Sequence, residues 1–449
     1  MKKIFQYIML AVVTIVMASC TSDIEETTTT TGKNNVQLVV GEFPAFGDSQ
    51  TRAIGTPDEG KTSWAVGDEL LLEIDNTSYG RHNATFTYNG SSWKLTSGEL
   101  VYLEGDPAYI SHVYYAPNYK WEAGKLVLKE GKDPGTDEYI EGNARITGNG
   151  ETITVSFAEA TRKYSRLRIA TLPNEQITVD TEYFTPAGSS DMEQNGNYTL
   201  TSDEKGNAYL YGTFENNSEV TVKYREAALT TYTFSQATES AKSYALDATV
   251  ISANSAEEIK SAIEQKVADG KTTIRLNLAP NAGTNEFMAI REAIKGAAPN
   301  DLGTIELTII GVETIPEEAF YKMLQLKSVR MSDVKEIKKY AFKECQYLTV
   351  VEAPSLNKLN SGAFNKCNLL SKLTFGPINY ADARYWPIFE DITPNIDLIL
   401  SDYQKEMIET DSYLYTANND RDYAGSDEHN SKNFLGREFK SITCRYPVE

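Results

Sequence analysis

"KKYAFKECQYLTVVEAPSLNKLNSGAFNKCNLLSKLTF", residues Lys338 to Phe375, says one thing twice. Ala341-Phe342 with Cys345 returns as Ala363-Phe364 with Cys367, each member displaced by 22 residues. The pattern begins one unit earlier: "VETIPEEAFYKMLQLKSV" (from Val312) aligns with "VKEIKKYAFKECQYLTVV" (from Val334) and "LNKLNSGAFNKCNLLSKL" (from Leu356). Six columns are apolar in all three rows: Val312, Val334, Leu356; Ile315, Ile337, Leu359; Phe320, Phe342, Phe364; Met323, Cys345, Cys367; Leu326, Leu348, Leu370; and Val329, Val351, Leu373. A unit this short cannot bury its own apolar face, so successive units must stack and bury one another.

A period in the twenties with recurring aliphatics marks a leucine-rich solenoid, one strand and one irregular turn per coil. The form "AF…C..L" resembles the BspA-type leucine-rich repeat over Ile310 to Phe375. The repeats are expected over 311–376, with an α/β N-terminal cap over 252–310 and a C-terminal cap over 377–449. In the first cap, "SAEEIKSAIEQKVADG" sets Ile259, Ile263 and Val267 at helical spacing before a Gly270 stop, and "NEFMAIREAIKGA" is a second helix. In the second cap, "YWPIF" and "NIDLILSDYQKEMI" supply apolar mass and Phe439–Cys444 a last strand. Stacking brings Cys345 and Cys367 to strand spacing, about 4.8 Å, a separation that admits a bridge. Met323 in the same column instead reads as an apolar filler, and buried cysteine behaves as a small hydrophobe.

Upstream, Val36 to Ile251 reads as strand after strand ("VQLVV", "ELLLEI", "ATFTY", "TITVSF", "SRLRIA", "EVTVKY"), with turn-formers between them. Short strands at this spacing argue for β-sandwiches rather than βαβ units. The fold class is therefore mainly β: a tandem β-sandwich (lobe 1 over 36–155, lobe 2 over 156–251), then a short α/β leucine-rich solenoid with a helical cap. The order "TRA", "SWAVGDELLLEI", "ATFTYNGSSW", "SHVYYAPNY", "VSFAEATRKYSRLRIA", "SAKSYALDATV" resembles the fimbrillin-like (Mfa-like) surface lipoproteins. That resemblance implies proteolytic maturation after an arginine following the first strand, here Arg52. It also implies exchange of strands with other fimbrial subunits. The C-terminus, which donates that strand in polymerising subunits, is here occupied by another domain.

At the N-terminus, Lys2 and Lys3 precede the short apolar run Ile8–Met17, and "VMASC" ends in Cys20. The run is of signal-peptide length and too short for a stable transmembrane helix. It resembles a bacterial lipoprotein signal (1–19), with Met17 where leucine is usual and Cys20 the lipidated first residue. Each buried acyl methylene is worth roughly 0.8 kcal/mol, so a multiply acylated cysteine anchors firmly. Acidic residues and Thr27–Thr31 make 20–35 a solvated tether. The expected place is the outer membrane, lipid-anchored and facing the cell exterior.

The 449 residues carry a net charge of −20, which repels a phosphate backbone, so no nucleic acid partner is expected. His82, His112 and His429 have no zinc spacing, and no metal or cofactor is expected. "DRDYAG" (Asp420–Gly425) fails the calcium-loop template at Ala424 and Ser431. No nucleophile elbow or phosphate loop occurs, so no catalytic residue is named and no enzyme is expected. Tyr79, Tyr88, Trp93, Tyr114, Tyr115 and Tyr119 can form a glycan platform or alternate as strand core. The expectation is a surface binding protein, an adhesin or fimbrial accessory component, whose repeats present a recognition face to a host or bacterial surface protein or glycan. The alternative is a glycan-capture lipoprotein of an uptake system.

Overall fold

The structure, a computed structural model, describes residues 37–44, 46, 61–101, 108–147, 152–157, 162–225, 227–253, 255–381, 388–389, 391–392, 395–402, 433–435 and 437–445. The signal segment, the tether with Cys20, Arg52, the Asp420–Gly425 loop and His429 lie outside these residues.

The first lobe holds β1 (Gln37–Val40), β2 (Glu69–Asn76), β3 (Gly80–Tyr88), β4 (Trp93–Gly98), β5 (Tyr109–Tyr115), β6 (Tyr119–Glu122), β7 (Lys125–Leu128), β8 (Ile140–Thr147) and β9 (Thr152–Ser156). Hydrogen bonding runs through seven of them in the order β1-β9-β8-β5-β2-β3-β4, and β6-β7 form a separate hairpin. All of the seven-strand pairs are antiparallel except β1 on β9. Side chains alternate faces along a strand, so Leu70, Leu72 and Ile74 join Phe86, Val113, Tyr115 and Val155 in one core. Leu71, of opposite parity, packs with Ala116 and Tyr119 on the other face.

The second lobe holds β10 (Ser165–Ala170), β11 (Gln176–Pro186), β12 (Glu193–Thr201), β13 (Asn207–Phe214), β14 (Glu219–Tyr224), β15 (Ala227–Thr233) and β16 (Ser243–Asp247). Its order is β15-β14-β11-β13-β10-β16, with β12 also on β11. The last strand, β16, runs parallel to β10.

The lobes meet around a buried ion pair. Arg162 Nη2 lies 2.8 Å from Glu138 Oε1, and both side chains are buried. Tyr164 Oη donates to Glu138 Oε2 at 2.6 Å and accepts from Tyr139 N at 3.0 Å. Arg162 also donates to the Pro44 carbonyl. Phe46 lies under two guanidiniums, those of Arg162 at 4.0 Å and Arg166 at 4.7 Å. Beside this pair, loss of water pushes the half-buried Asp137 carboxyl above its ordinary value. The Glu138 charge adds to the rise, while the Glu138 N–H and the ammoniums of Lys61 and Lys132 oppose it.

After β17 (Ile251–Ala253) the chain changes character: α1 (Ala256–Ala268), β18 (Thr273–Leu278), α2 (Thr284–Ala297), β19 (Ile305–Ile310), then β20 (Thr314–Ile315), β21 (Leu326–Met331), β22 (Glu336–Ile337), β23 (Val350–Ala353), β24 (Lys358–Leu359), β25 (Lys372–Phe375), β26 (Tyr380–Ala381) and β27 (Asp397–Ser401). A hairpin, β28 (Asn433–Phe434) with β29 (Arg437–Glu438), and β30 (Ser441–Arg445) complete it. The last strand thus begins two residues later than Phe439, whose buried ring packs inward instead. Eight strands form one sheet in the order β17-β18-β19-β21-β23-β25-β27-β30, and β20-β22-β24-β26 form another. Every pair in both sheets is parallel. The Ser255 side chain caps α1, accepting from Glu258 N, and Gly270 follows it at φ +73°, a conformation glycine tolerates without strain. Ile259 and Ile263 of α1 and Phe287, Ile290 and Ile294 of α2 pack into the same core as the strands.

Candidate recognition face

Each coil is fixed by its register with the next. Val350 pairs with Ser328 and Lys372, and Lys358 with Glu336 and Tyr380, each pair 22 residues apart. The segment between the two strand ladders is held differently. The N–H groups of Glu318, Phe320 and Lys322 donate to the carbonyls of Lys339, Ala341 and Lys343 one coil on. The intervening Ala319, Tyr321 and Met323 donate within their own coil, to Pro316, Glu318 and Phe320. The next coil repeats this alternation, with Tyr340, Phe342 and Glu344 reaching forward. Left-handed residues recur at both ends of the segment: Glu318, Tyr340 and Gly362, then Lys322, Glu344 and Lys366, all with φ of 55–62°. A non-glycine residue there costs about 1–2 kcal/mol, and the recurring inter-coil bonds offset that cost.

Inside, every core residue named from the sequence is buried: Ile315, Ile337, Leu359, Phe320, Phe342, Phe364, Leu326, Leu348, Leu370, Cys345 and Cys367. The phenylalanine column is a stack. Phe320 and Phe342 are 5.1 Å apart at 19°, Phe342 and Phe364 5.4 Å at 7°, and Phe389 continues the row at 5.8 Å. The stack is closed edge-on at both ends, by Phe287 of α2 against Phe320 (77°) and by Phe439 against Phe389 (90°).

The cysteine column is not bridged; Cys345, Cys367 and Cys444 form no disulfide. Cys345 Sγ donates to the Phe320 carbonyl and Cys367 Sγ to the Phe342 carbonyl, each at 3.0 Å and each reaching one coil back. Met323 fills the same column in the first row as a buried apolar side chain without a donor, so the thiol bonds are an addition to the packing and not a requirement of it. Burial pushes the Cys345 thiol up to about 12 and that of Cys367 well above its ordinary value.

Outside, cations are used in two ways, paired with carboxylates and set over tyrosine rings, and Lys358, over Tyr380 at 5.2 Å, is used in both. On the eight-stranded sheet, cations pair with carboxylates: Lys327 with Glu306 (2.8 Å), Arg330 and Lys372 with Glu352 (2.9 and 3.6 Å), Lys440 with Asp397 (3.0 Å). On the four-stranded sheet Lys335 pairs with Glu313 (2.5 Å) and Lys358 with Glu336 (2.9 Å). At the corner between them, lysines sit over tyrosine rings. Lys343 Nζ lies 4.6 Å from the Tyr340 centroid and 6.0 Å from Tyr321, Lys322 lies 5.1 Å from Tyr321, and Lys339 4.7 Å from Tyr340. Lys322 also reaches Glu344 at 3.5 Å. Residues 311–376 hold ten Lys and Arg against seven Asp and Glu, so the acidic excess of the chain lies wholly elsewhere.

The aromatic residues of the first lobe do not share a face. Trp93 and Tyr115 are core, both packed on Trp64 at 5.2 Å. Tyr119 is buried on the opposite side, beside Tyr114 and Tyr139. Tyr79 is exposed and donates to Glu99. His82 bonds with the Gly80 carbonyl and Val101 N, and His112 with Glu141. Among the described residues no three His, Cys, Asp or Glu side chains are grouped to hold a metal, and no helix there is long and apolar enough to cross a membrane.

Residues 302–386 match the BspA type leucine rich repeat region, in six copies. Among solved structures the chain is similar to the T. pallidum leucine rich repeat protein TpLRR, at 17% identity over 21% of this chain and 58% of that one, with a TM-score of 0.17. It is also similar to GBS52, the minor pilin of Streptococcus agalactiae, at 10% identity over 48% of this chain and 94% of that one, with a TM-score of 0.18. No curated protein matches.

Proposed function

We propose that the protein is a lipid-anchored, non-catalytic recognition protein of the cell surface. In this reading the two β lobes are a fimbrillin-like stalk tethered through the lipid on Cys20. The C-terminal region is a leucine-rich solenoid, capped by α1 and α2, that presents the binding face. The observation that carries the proposal is the repeat match over 302–386 together with the inter-coil bonding, which holds exposed side chains on a rigid, regularly spaced backbone. A repeat region of this type suggests a surface adhesion or recognition module.

The test uses intact cells that display the protein. Antibodies raised against residues 311–376 and against the β lobes are applied before and after treatment with a non-penetrating protease. Loss of both signals from intact cells, with adhesion blocked by the anti-coil antibody, supports the proposal. Protection of both signals until the outer membrane is broken makes the protein periplasmic and removes it.

A further inference from the structure

Where the corner of the first coils meets α2, two basic side chains of the helix join the lysines. Arg291 donates to the Glu318 carbonyl at 3.0 Å, which fixes the end of the helix against the first coil. Lys295, one turn on, is half-buried, and its ammonium is held below the ordinary lysine range. Lost solvation comes first among the causes, then the charges of Arg291 and Lys322. Lys322 itself is held above its ordinary range by Tyr321 and Glu344, so the positive potential is concentrated on the helix side, at Arg291 and Lys295, where a bound anion relieves it. Two half-exposed tyrosines, Tyr321 and Tyr340, lie within this patch.

We infer that Arg291, Lys295, Lys322 and Lys343, with Tyr321 and Tyr340, form a binding face for a polyanionic carbohydrate, a chain bearing sulfate or uronate groups. This rests on the recognition reading above and names its ligand class. Two features favour an anionic glycan. The Lys322 and Lys343 amines lie over rings, in addition to the Lys322 pair with Glu344, a soft contact that orients them and that a stronger anion can displace. Half-exposed Tyr321 and Tyr340 add apolar surface beside Lys322 and Lys343, against which a sugar ring can pack; an acidic peptide has no need of it.

The test measures binding of the full chain to dextran sulfate, neutral dextran and poly-L-glutamate over a range of salt. Dextran sulfate should bind with a steep salt dependence and neutral dextran should not bind. Lys322→Gln with Lys343→Gln should flatten the log K against log salt slope by roughly two, because two fewer counterions are exchanged. Lys327→Gln with Lys372→Gln removes the same charge from the strand face and should leave the slope unchanged. Tyr340→Asn suits the left-handed backbone there and should weaken dextran sulfate but not poly-L-glutamate.

Equal flattening by both lysine pairs, or no retention of dextran sulfate near physiological salt, overturns the inference. Equal affinity for poly-L-glutamate, insensitive to Tyr340→Asn, also overturns it and assigns the face to an acidic protein. If the anti-coil antibody blocks adhesion while the corner lysines prove irrelevant, this inference fails and the recognition reading stands. If the antibody blocks nothing, the recognition reading fails whatever dextran sulfate does.

Discussion

At the scale of the residue, the phenylalanine column concentrates the packing energy of the coils. Phe342 has a parallel ring on each side, at 5.1 and 5.4 Å. Phe342→Ala should therefore destabilise the C-terminal region by about 3–5 kcal/mol, and Phe342→Leu by less, because it leaves a smaller cavity. Both effects are readable in denaturant melts that follow that region. The thiols give a second expectation. Native protein exposed to iodoacetamide at pH 8 should be alkylated at half-buried Cys444, with Cys345 and Cys367 spared until the coils unfold, as peptide mass mapping will show. The apolar columns were legible in the sequence because a 22-residue spacing of large side chains has few explanations besides stacking. The thiol donors were not: a buried cysteine reads as a small hydrophobe, and nothing in the sequence announces the Phe320 and Phe342 carbonyls it serves.

At the scale of the element, alternation of apolar residues shows which face of a strand is buried and leaves its partner open. Leu70, Leu72 and Ile74 were legible as core for that reason, whereas the parallel pairing of β1 with β9 and of β10 with β16 was not. Both helices were legible, since Ile259 and Ile263 lie one turn apart and Ser255 and Gly270 bracket α1. The left-handed positions of the coils were hidden. Glycine marks such a backbone at Gly362, but Tyr340, Glu318, Lys322, Glu344 and Lys366 carry no such sign. The candidate face was hidden with them, because Tyr321, Tyr340 and Lys343 meet only through the 22-residue register and the turn between ladders.

At the scale of the whole molecule, the junction between lobes depends on Arg162 and Glu138, 24 residues apart and without any periodic signature. Arg162→Ala leaves the Glu138 carboxylate buried and unpaired and should cost about 3–5 kcal/mol, seen as a lower melting temperature with the two lobes separating. Asp137 beside it supplies a pH dependence. Its folded value is raised above 3.8, so the folded chain holds a proton the unfolded chain has lost. Stability therefore falls as pH rises through the window from 3.8 to the raised value. Asp137→Asn should raise the melting temperature at neutral pH, and the gain should vanish below about pH 3.8, where the carboxyl is protonated in both states. Thermal melts of both proteins from pH 3 to 8 check this.

The edge-on rings at the two ends of the phenylalanine stack have a consequence for how such a chain changes over generations. Phe287 and Phe439 close the row with a geometry that no internal ring adopts, so the ends are distinct from the middle. An internal coil touches only its neighbours, and those contacts are the same wherever the coil stands. In-frame duplication of residues 334–355 would lengthen the module by one coil and leave both closures intact. Its length is thus open to genetic drift by slippage, while its termini are not, and the length of the module becomes a trait that whole coils add or remove.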